Sequence, residues 1–357
     1  MKKSTFQIVL FFYHLVFIIL SYLYCAKNGS DAHLYWFQGS YTHNKSWLDF
    51  ANYGTDFILF INYPFVKLGL PLFIGFLGYG IIGFFGILQW IKWTTLVFGN
   101  QFNWKGVNLV QLIFLLPNLH FWTATLGKEP IIFWAIATVF YALAARNYKS
   151  LGLVVGSWLL IVIRPHVALM LLLAIALVLM FQHKATLKKR LIIAVSSLTI
   201  VALCSYMILQ LSEIKYLNWH RIRYYNDYSI LSFKHSGTYV PMLEYNYGYR
   251  LFSFNFRPLF FDIKSLMGYV ASAENLLLLV LCLLALFYSV KFYKKIHFSQ
   301  GMNIAFIFTL IAGLLYVQRY ANLGIFLRTK IMFEPFMVIA LFCIIKQGFA
   351  LNNSKSK

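Results

Sequence analysis

Charge is scarce in this sequence, and acid is scarcer still. Charged residues fill 11% of its 357 positions, and 10 Asp+Glu stand against 31 Lys+Arg. A soluble domain carries roughly a quarter charged residues, so a soluble globular chain is excluded. Cysteine is rare as well: Cys25, Cys204, Cys282 and Cys343 lie in or beside apolar runs with no paired spacing, and read as packing residues. No Gly-rich phosphate loop, H-E-x-x-H or G-x-S-x-G occurs, so nothing implies ATP, NAD or flavin. No Gly/Ser/Pro-rich linker and no repeat divides the chain, which reads as a single membrane domain, 1–357.

What is present is apolar. The hydrophobic set makes up 61% of the residues, and the mean hydropathy is +0.70. These values predict an all-α, polytopic integral membrane protein. The net charge of +21 would suggest nucleic acid in a soluble protein. In a membrane protein part of it reflects orientation, because cytoplasmic loops collect Lys and Arg.

Lys2 and Lys3 precede an apolar run from Phe6 to Cys25 with no small-residue cleavage site after it, which predicts an uncleaved first span. Further runs cover 71–91, 107–121, 131–145, 151–163, 166–182, 191–210, 265–290, 301–317 and 331–345. A straight helix needs about 20 residues to cross a hydrocarbon core of about 30 Å. Two pairs of runs are shorter, and each is interrupted by polar residues: Lys128-Glu129-Pro130 in the first, Arg164-Pro165-His166 in the second. Short helices meeting at polar apices avoid placing a cation in mid-membrane. The expected count is about ten spans, with both termini cytoplasmic. Tight basic clusters at Lys92/Lys105, Arg146/Lys149, Lys184/Lys188/Lys189/Arg190, Lys291/Lys294/Lys295 and the tail 347–357 with its flanking Lys346 then fall inside. The acids, Asp31, Asp49, Asp56, Glu129, Glu213, Asp227, Glu244, Asp262, Glu274 and Glu334, all fall on or near the outer side. Acids scarcely influence topology, so this segregation points to chemistry at the outer face. Long outer loops are expected over 27–57 and 211–264.

Four constellations could carry that chemistry. Each apex sets a cation beside a helix-starting proline, where unpaired N–H groups and the helix dipole favour an anion such as phosphate. The competing reading is a snorkelling cation before a helix start. Arg319, Arg328 and Lys330, with Arg257-Pro258, place further cations at the outer mouth, suited to a phosphate or diphosphate; the competing role is an anchor to anionic headgroups. Asp31 follows the first span, where a carboxylate beside cations can act as a general base or can merely cap a helix. With His33 alone beside it, it offers too few ligands to assign a metal; a divalent cation is not excluded, and no cofactor is expected. Finally, Trp219, Arg221, Arg223 and Tyr224 open a run that mixes aromatic faces with polar groups, as a sugar site does, or that forms an interfacial belt.

The pattern Asp31-x-x-x-Tyr35 after the first span resembles the first outer loop of GT-C-type glycosyltransferases and of EpsG/Wzy-like polysaccharide polymerases. Leu116-Pro117 through Phe121-Trp122 to Gly127-Lys128-Glu129 is similar to a "P…FWS…GK(D/E)" stretch in bacterial membrane proteins of surface-polysaccharide biosynthesis. Arg164-Pro165 and Asn322-Leu-Gly324…Arg328-Thr-Lys330…Pro335 look like later landmarks of the same proteins. The chain departs from many GT-C enzymes in carrying His33 where a second acid is common, and its length resembles a polymerase more. The resemblance implies use of polyprenyl-phosphate- or diphosphate-linked sugars on the outer side of the cytoplasmic (inner) membrane.

The expectation is therefore glycosyl transfer, most directly polymerisation of a lipid-linked polysaccharide repeat. Lys128, Arg164, Arg257, Arg319, Arg328 and Lys330 would hold the donor's phosphates. Asp31, or failing it Glu129 or His166, would activate the acceptor hydroxyl, and the loop containing Trp219 would hold sugars. Expected partners are membrane lipid, the lipid-linked glycan and other polysaccharide-assembly proteins, with no nucleic acid. Alternatives are a single-sugar transferase, a transporter or flippase of the same glycan, and a non-catalytic scaffold.

Overall fold

The computed structural model describes residues 3–41, 45–99, 101–104, 107–181, 186–211, 218–263 and 265–354. Lys2, Lys105, Lys184, Glu213, Lys264, Lys355 and Lys357, which entered the orientation and loop expectations, lie outside these residues. Helices dominate, and the strands among the described residues are two antiparallel two-residue pieces, Asn103–Trp104 and Val107–Asn108. The chain forms two compact units, Met1–Ala168 and Leu169–Lys357.

The first unit contains α1 (Lys3–Asn28), α2 (Asp31–Tyr41), α3 (Thr55–Lys67), α4 (Leu72–Phe98), α5 (Pro117–Thr123), α6 (Lys128–Ala144), α7 (Leu151–Ile163) and the start of α8 (Pro165–Met180). Helix α1 ends where Gly29 adopts φ +68° and its N–H reaches the Cys25 carbonyl, the usual way glycine closes a helix. Ser30 then accepts from the Ala32 N–H, so α2 begins at Asp31.

Helix α4 packs on α5 and α6 through small residues. A Cβ at Gly83 would lie 1.9 Å from the Thr123 carbonyl oxygen, and one at Gly86 would lie 2.8 Å from the Phe133 ring. Helix α7 approaches α6 the same way, with Gly156 against the Ala135 carbonyl. Glycine lets backbones approach where apolar lipid gives no drive for helices to associate. Helix α6 is buried along most of its length, from Glu129 to Ala142.

The second unit contains the rest of α8, then α9 (Leu187–Leu211), α10 (Trp219–Leu231), α11 (Tyr247–Phe256), α12 (Leu266–Lys291), α13 (Gln300–Tyr316), α14 (Leu323–Lys330) and α15 (Glu334–Asn353). Helix α15 packs on α12 and α13. Phe254, Tyr316 and Phe333 stack, with Phe326 edge-on to Phe254, and so hold α11, α13 and α14 together. Backbone bonds from Val240 to Ala321 and from Leu323 to Thr238 pin the segment after α10 beside the start of α14.

Among the described residues four helices are long and apolar enough to cross a membrane: Thr5–Asn28 within α1, α4, α12 and α15. Helices α5 and α6 pass the same test together but bend by 109° at the break between them, which makes the number up to five if that pair is one span. Large apolar side chains face outward on α1 (Ile8, Phe12, Ile19, Leu23) and α12 (Leu277, Leu283, Leu286, Phe287), as lipid-facing positions do. The chain is thus a helical protein built to be membrane-integral.

Candidate functional site

Both polar apices form as helix breaks. Helix α7 stops at Ile163, Arg164 caps it, and Pro165, lacking an N–H, opens α8 with His166 next. Helix α6 starts at Lys128, directly after the α5 break, with Gly127 as its cap and Pro130 in its first turn.

The structure brings the two apices together. The Arg164 guanidinium donates to a Glu129 carboxylate oxygen, and the two residues are 8% and 0% exposed. A buried carboxylate without a cation would be costly, so each group is stable there because of the other. Lys128, one residue earlier and half-buried, donates from Nζ to Thr55 Oγ1 at 2.9 Å. Gly54, beside Thr55, donates its N–H to the Val162 carbonyl at 2.7 Å. That carbonyl belongs to the last turn of α7, where acceptors lack partners within the helix.

Asp31 opens α2 and is exposed. One turn later the Tyr35 ring lies against Gly127, where an added Cβ would meet Tyr35 Cε2 and Glu129 Oε2, each at 3.3 Å. The Asp31-x-x-x-Tyr35 helix is therefore seated on the α6 apex. Asn62 fixes that seat: its amide donates to the Tyr35 carbonyl at 2.9 Å and its oxygen accepts from the Tyr79 hydroxyl at 3.0 Å.

The second unit holds the other expected residues. Arg319 donates to the Tyr225 hydroxyl at 2.9 Å and lies over that ring at 4.4 Å. Beside Tyr225 on α10, Trp219, Arg221, Arg223 and Tyr224 are exposed, and Tyr224 stacks with Tyr228. Arg257 binds Asp262 through Nε and Nη2, at 3.0 and 2.5 Å, and also donates to the Tyr245 hydroxyl at 3.4 Å. The Asp262 carboxylate, more than burial can offset, pushes the Arg257 pKa further up and keeps it charged.

Arg328 lies half-buried in the last turn of α14. Lys330 is wholly buried, donating to the Asn255 carbonyl at 3.0 Å and to Asn275 Oδ1 at 2.6 Å. Burial pulls its pKa below the usual lysine value, and Glu334 and Glu274 offset only part of that.

Thr55, Asn62 and Tyr79 carry no sequence motif, and no local signal marks them. Among the described residues no group of three or more His, Cys, Asp or Glu is placed to hold a metal ion. No family model, no curated protein and no solved structure matches this chain.

Proposed function

We propose that the protein transfers glycosyl units from a polyprenyl-phosphate- or diphosphate-linked donor and extends a surface polysaccharide, at the outer face of the cytoplasmic membrane. The observation that carries this reading is the buried Glu129–Arg164 pair, flanked by Lys128 and by the helix that begins at Asp31. A leaving phosphate needs cations and an acceptor hydroxyl needs a base, and this apex offers both kinds of group within one unit. The acceptor oxygen attacks the anomeric carbon, the bond from that carbon to the phosphate oxygen breaks, and the phosphate leaves with the electron pair. Lys128 stabilises the charge that develops on it. Glu129 is engaged by Arg164, so the exposed Asp31 is the better base for the acceptor proton, with His166 the further candidate.

In this reading the short apolar helices Leu151–Ile163, Pro165–Met180, Arg190–Leu203 and Gln300–Tyr316 also cross the membrane and bring the count near ten, with both termini cytoplasmic. The exposed aromatic-cationic face of α10 contacts sugars, and Arg257, Arg319, Arg328 and Lys330 are tested one by one for a part in phosphate binding. Partners are membrane lipid, the lipid-linked glycan and other polysaccharide-assembly proteins.

The test is transfer of labelled sugar from a lipid-linked donor by purified protein in detergent. Turnover that Asp31→Asn and Lys128→Ala each lower by about 100-fold or more supports the reading. Lack of turnover by folded wild-type protein across lipid-linked donors counts against it. The 109° break between α5 and α6 favours one second reading, a transporter of the same anionic glycan, because broken helices also build substrate sites in transporters. Movement of the glycan across proteoliposomes without transfer would select it.

A further inference from the structure

Two histidines meet in the apolar interior of the first unit, away from the apices. His14 lies midway along α1 and His120 lies on α5, and they are 1% and 0% exposed. Their Nδ1 atoms are 2.8 Å apart. Each ring's other nitrogen faces a backbone carbonyl: His14 Nε2 lies 2.9 Å from the Gly80 oxygen, and His120 Nε2 lies 2.6 Å from the Phe114 oxygen.

Proton counting decides what this geometry means. A carbonyl oxygen only accepts, so both Nε2 atoms must carry hydrogen. A neutral imidazole has one N–H, and each ring has spent it. Two neutral rings would then point bare lone pairs at each other across 2.8 Å, a repulsive contact. Three hydrogen bonds need three protons, and two neutral histidines bring two.

We propose that His14 and His120 form a proton-binding site: the pair takes one extra proton from water and shares it between the two Nδ1 atoms as a monocation. No heavy-atom bond changes, and the pair gains one positive charge. A metal ion does not fit between the nitrogens. A tetrahedral metal with bonds of about 2.0 Å holds two ligand nitrogens about 3.3 Å apart, wider than the 2.8 Å seen here, and no third His, Cys, Asp or Glu stands with the pair among the described residues.

Burial in an apolar span opposes the charge. Two carbonyl oxygens and two sharing rings work against that cost. So do the aromatic neighbours: the Phe84 ring lies 5.9 Å from His14, and the Tyr13 and Phe17 rings lie 4.7 and 5.6 Å from His120. Of the groups facing the pair, Tyr13 on α1 can titrate, and it donates to the Leu115 carbonyl. On α4, Tyr79 neighbours Gly80 but donates to Asn62. No carboxylate, Lys or Arg side chain is among the described contacts of either ring. The proton therefore ties α1 to α5, the segment that leads into the α6 apex. A tie that needs a bound proton is present at low pH and is lost as pH rises past the pair's own midpoint.

The full chain, labelled with 15N in its histidine rings and reconstituted in lipid bilayers, tests this by solid-state NMR at acid pH, where the tie is present. A through-space correlation between nitrogens of two different histidines identifies the pair without any variant. Three protonated nitrogens out of that pair's four is the expected result. Two out of four, or no such correlation because one ring is turned over, would overturn the proposal. In His120→Asn the His14 ring should fall back to a single N–H, and retention of both N–H groups would show that the proton is not shared. If that variant does not fold, the wild-type count decides alone.

Discussion

Arg164 and Glu129 stand 35 residues apart in sequence, on two different helix breaks, and meet as a buried ion pair. Arg164 directly follows the apolar α7 and Glu129 lies in the first turn of α6, so the two interruptions stabilise one another. Removing one partner of a buried pair strands the other and costs about 3–5 kcal/mol, whereas an apolar replacement of both is often neutral. Glu129→Ala or Arg164→Ala should thus lower the melting temperature markedly in detergent. Glu129→Leu combined with Arg164→Met should regain stability, and under the proposed function it should not regain transfer. Equal melting temperatures for the two single variants and the wild type would show that the pair carries no stability.

Under the proposed function Lys128 serves phosphate binding and not folding. Its contact with Thr55 is half-buried and made by a flexible side chain, so its loss costs little stability. Loss of one donor to a developing charge costs roughly 100- to 1,000-fold in kcat. Lys128→Ala should fall in that range at nearly unchanged melting temperature, and Thr55→Ala should stay within a few-fold. The comparison is read from initial rates with the lipid-linked donor.

Helix α4 provides an internal control for packing. Gly83 has a backbone oxygen 1.9 Å from where its Cβ would stand, whereas a Cβ at Gly78 meets nothing within 4 Å. Overpacking of this kind costs about 1–3 kcal/mol or more. Gly83→Ala should be clearly destabilised and Gly78→Ala nearly neutral, as judged by thermal unfolding of the purified proteins.

In the second unit two cations should differ sharply. Lys330→Met keeps the stem but leaves the Asn255 carbonyl, Asn275 Oδ1 and buried Glu334 without their cation. A loss of about 3–5 kcal/mol is expected. Arg319→Ala forfeits a hydrogen bond and a ring contact to Tyr225, worth about 1 kcal/mol. Denaturant or thermal melts that rank Arg319 above Lys330 would contradict this.

The helix breaks were legible because proline and charge act locally: α7 ends at Ile163 and α8 begins at Pro165, as the run 151–163 before Arg164-Pro165 implied. The partnerships were not. Lys128 finds Thr55 from 73 residues away and His14 finds His120 from 106, and no local pattern encodes such distances. Helix faces were equally hidden, since α1 and α4 are apolar nearly all round and carry no polar stripe to mark which side is buried. Lys330 follows Arg328 in a stretch that reads as a polar mouth. Its burial against Asn255 and Asn275 comes from α11 and α12 packing there, which spacing alone does not disclose.

Three links join three short stretches of chain in the first unit: Gly54 to Val162, Thr55 to Lys128, and Glu129 to Arg164. They close a triangle whose corners are residues 54–55, 128–129 and 162–164. A triangle, unlike a four-sided frame, cannot shear without stretching a side. Segments far apart in the chain are therefore obliged to move as one body. The Lys128–Thr55 side rests on one long side chain, so of the three it is the side that gives first.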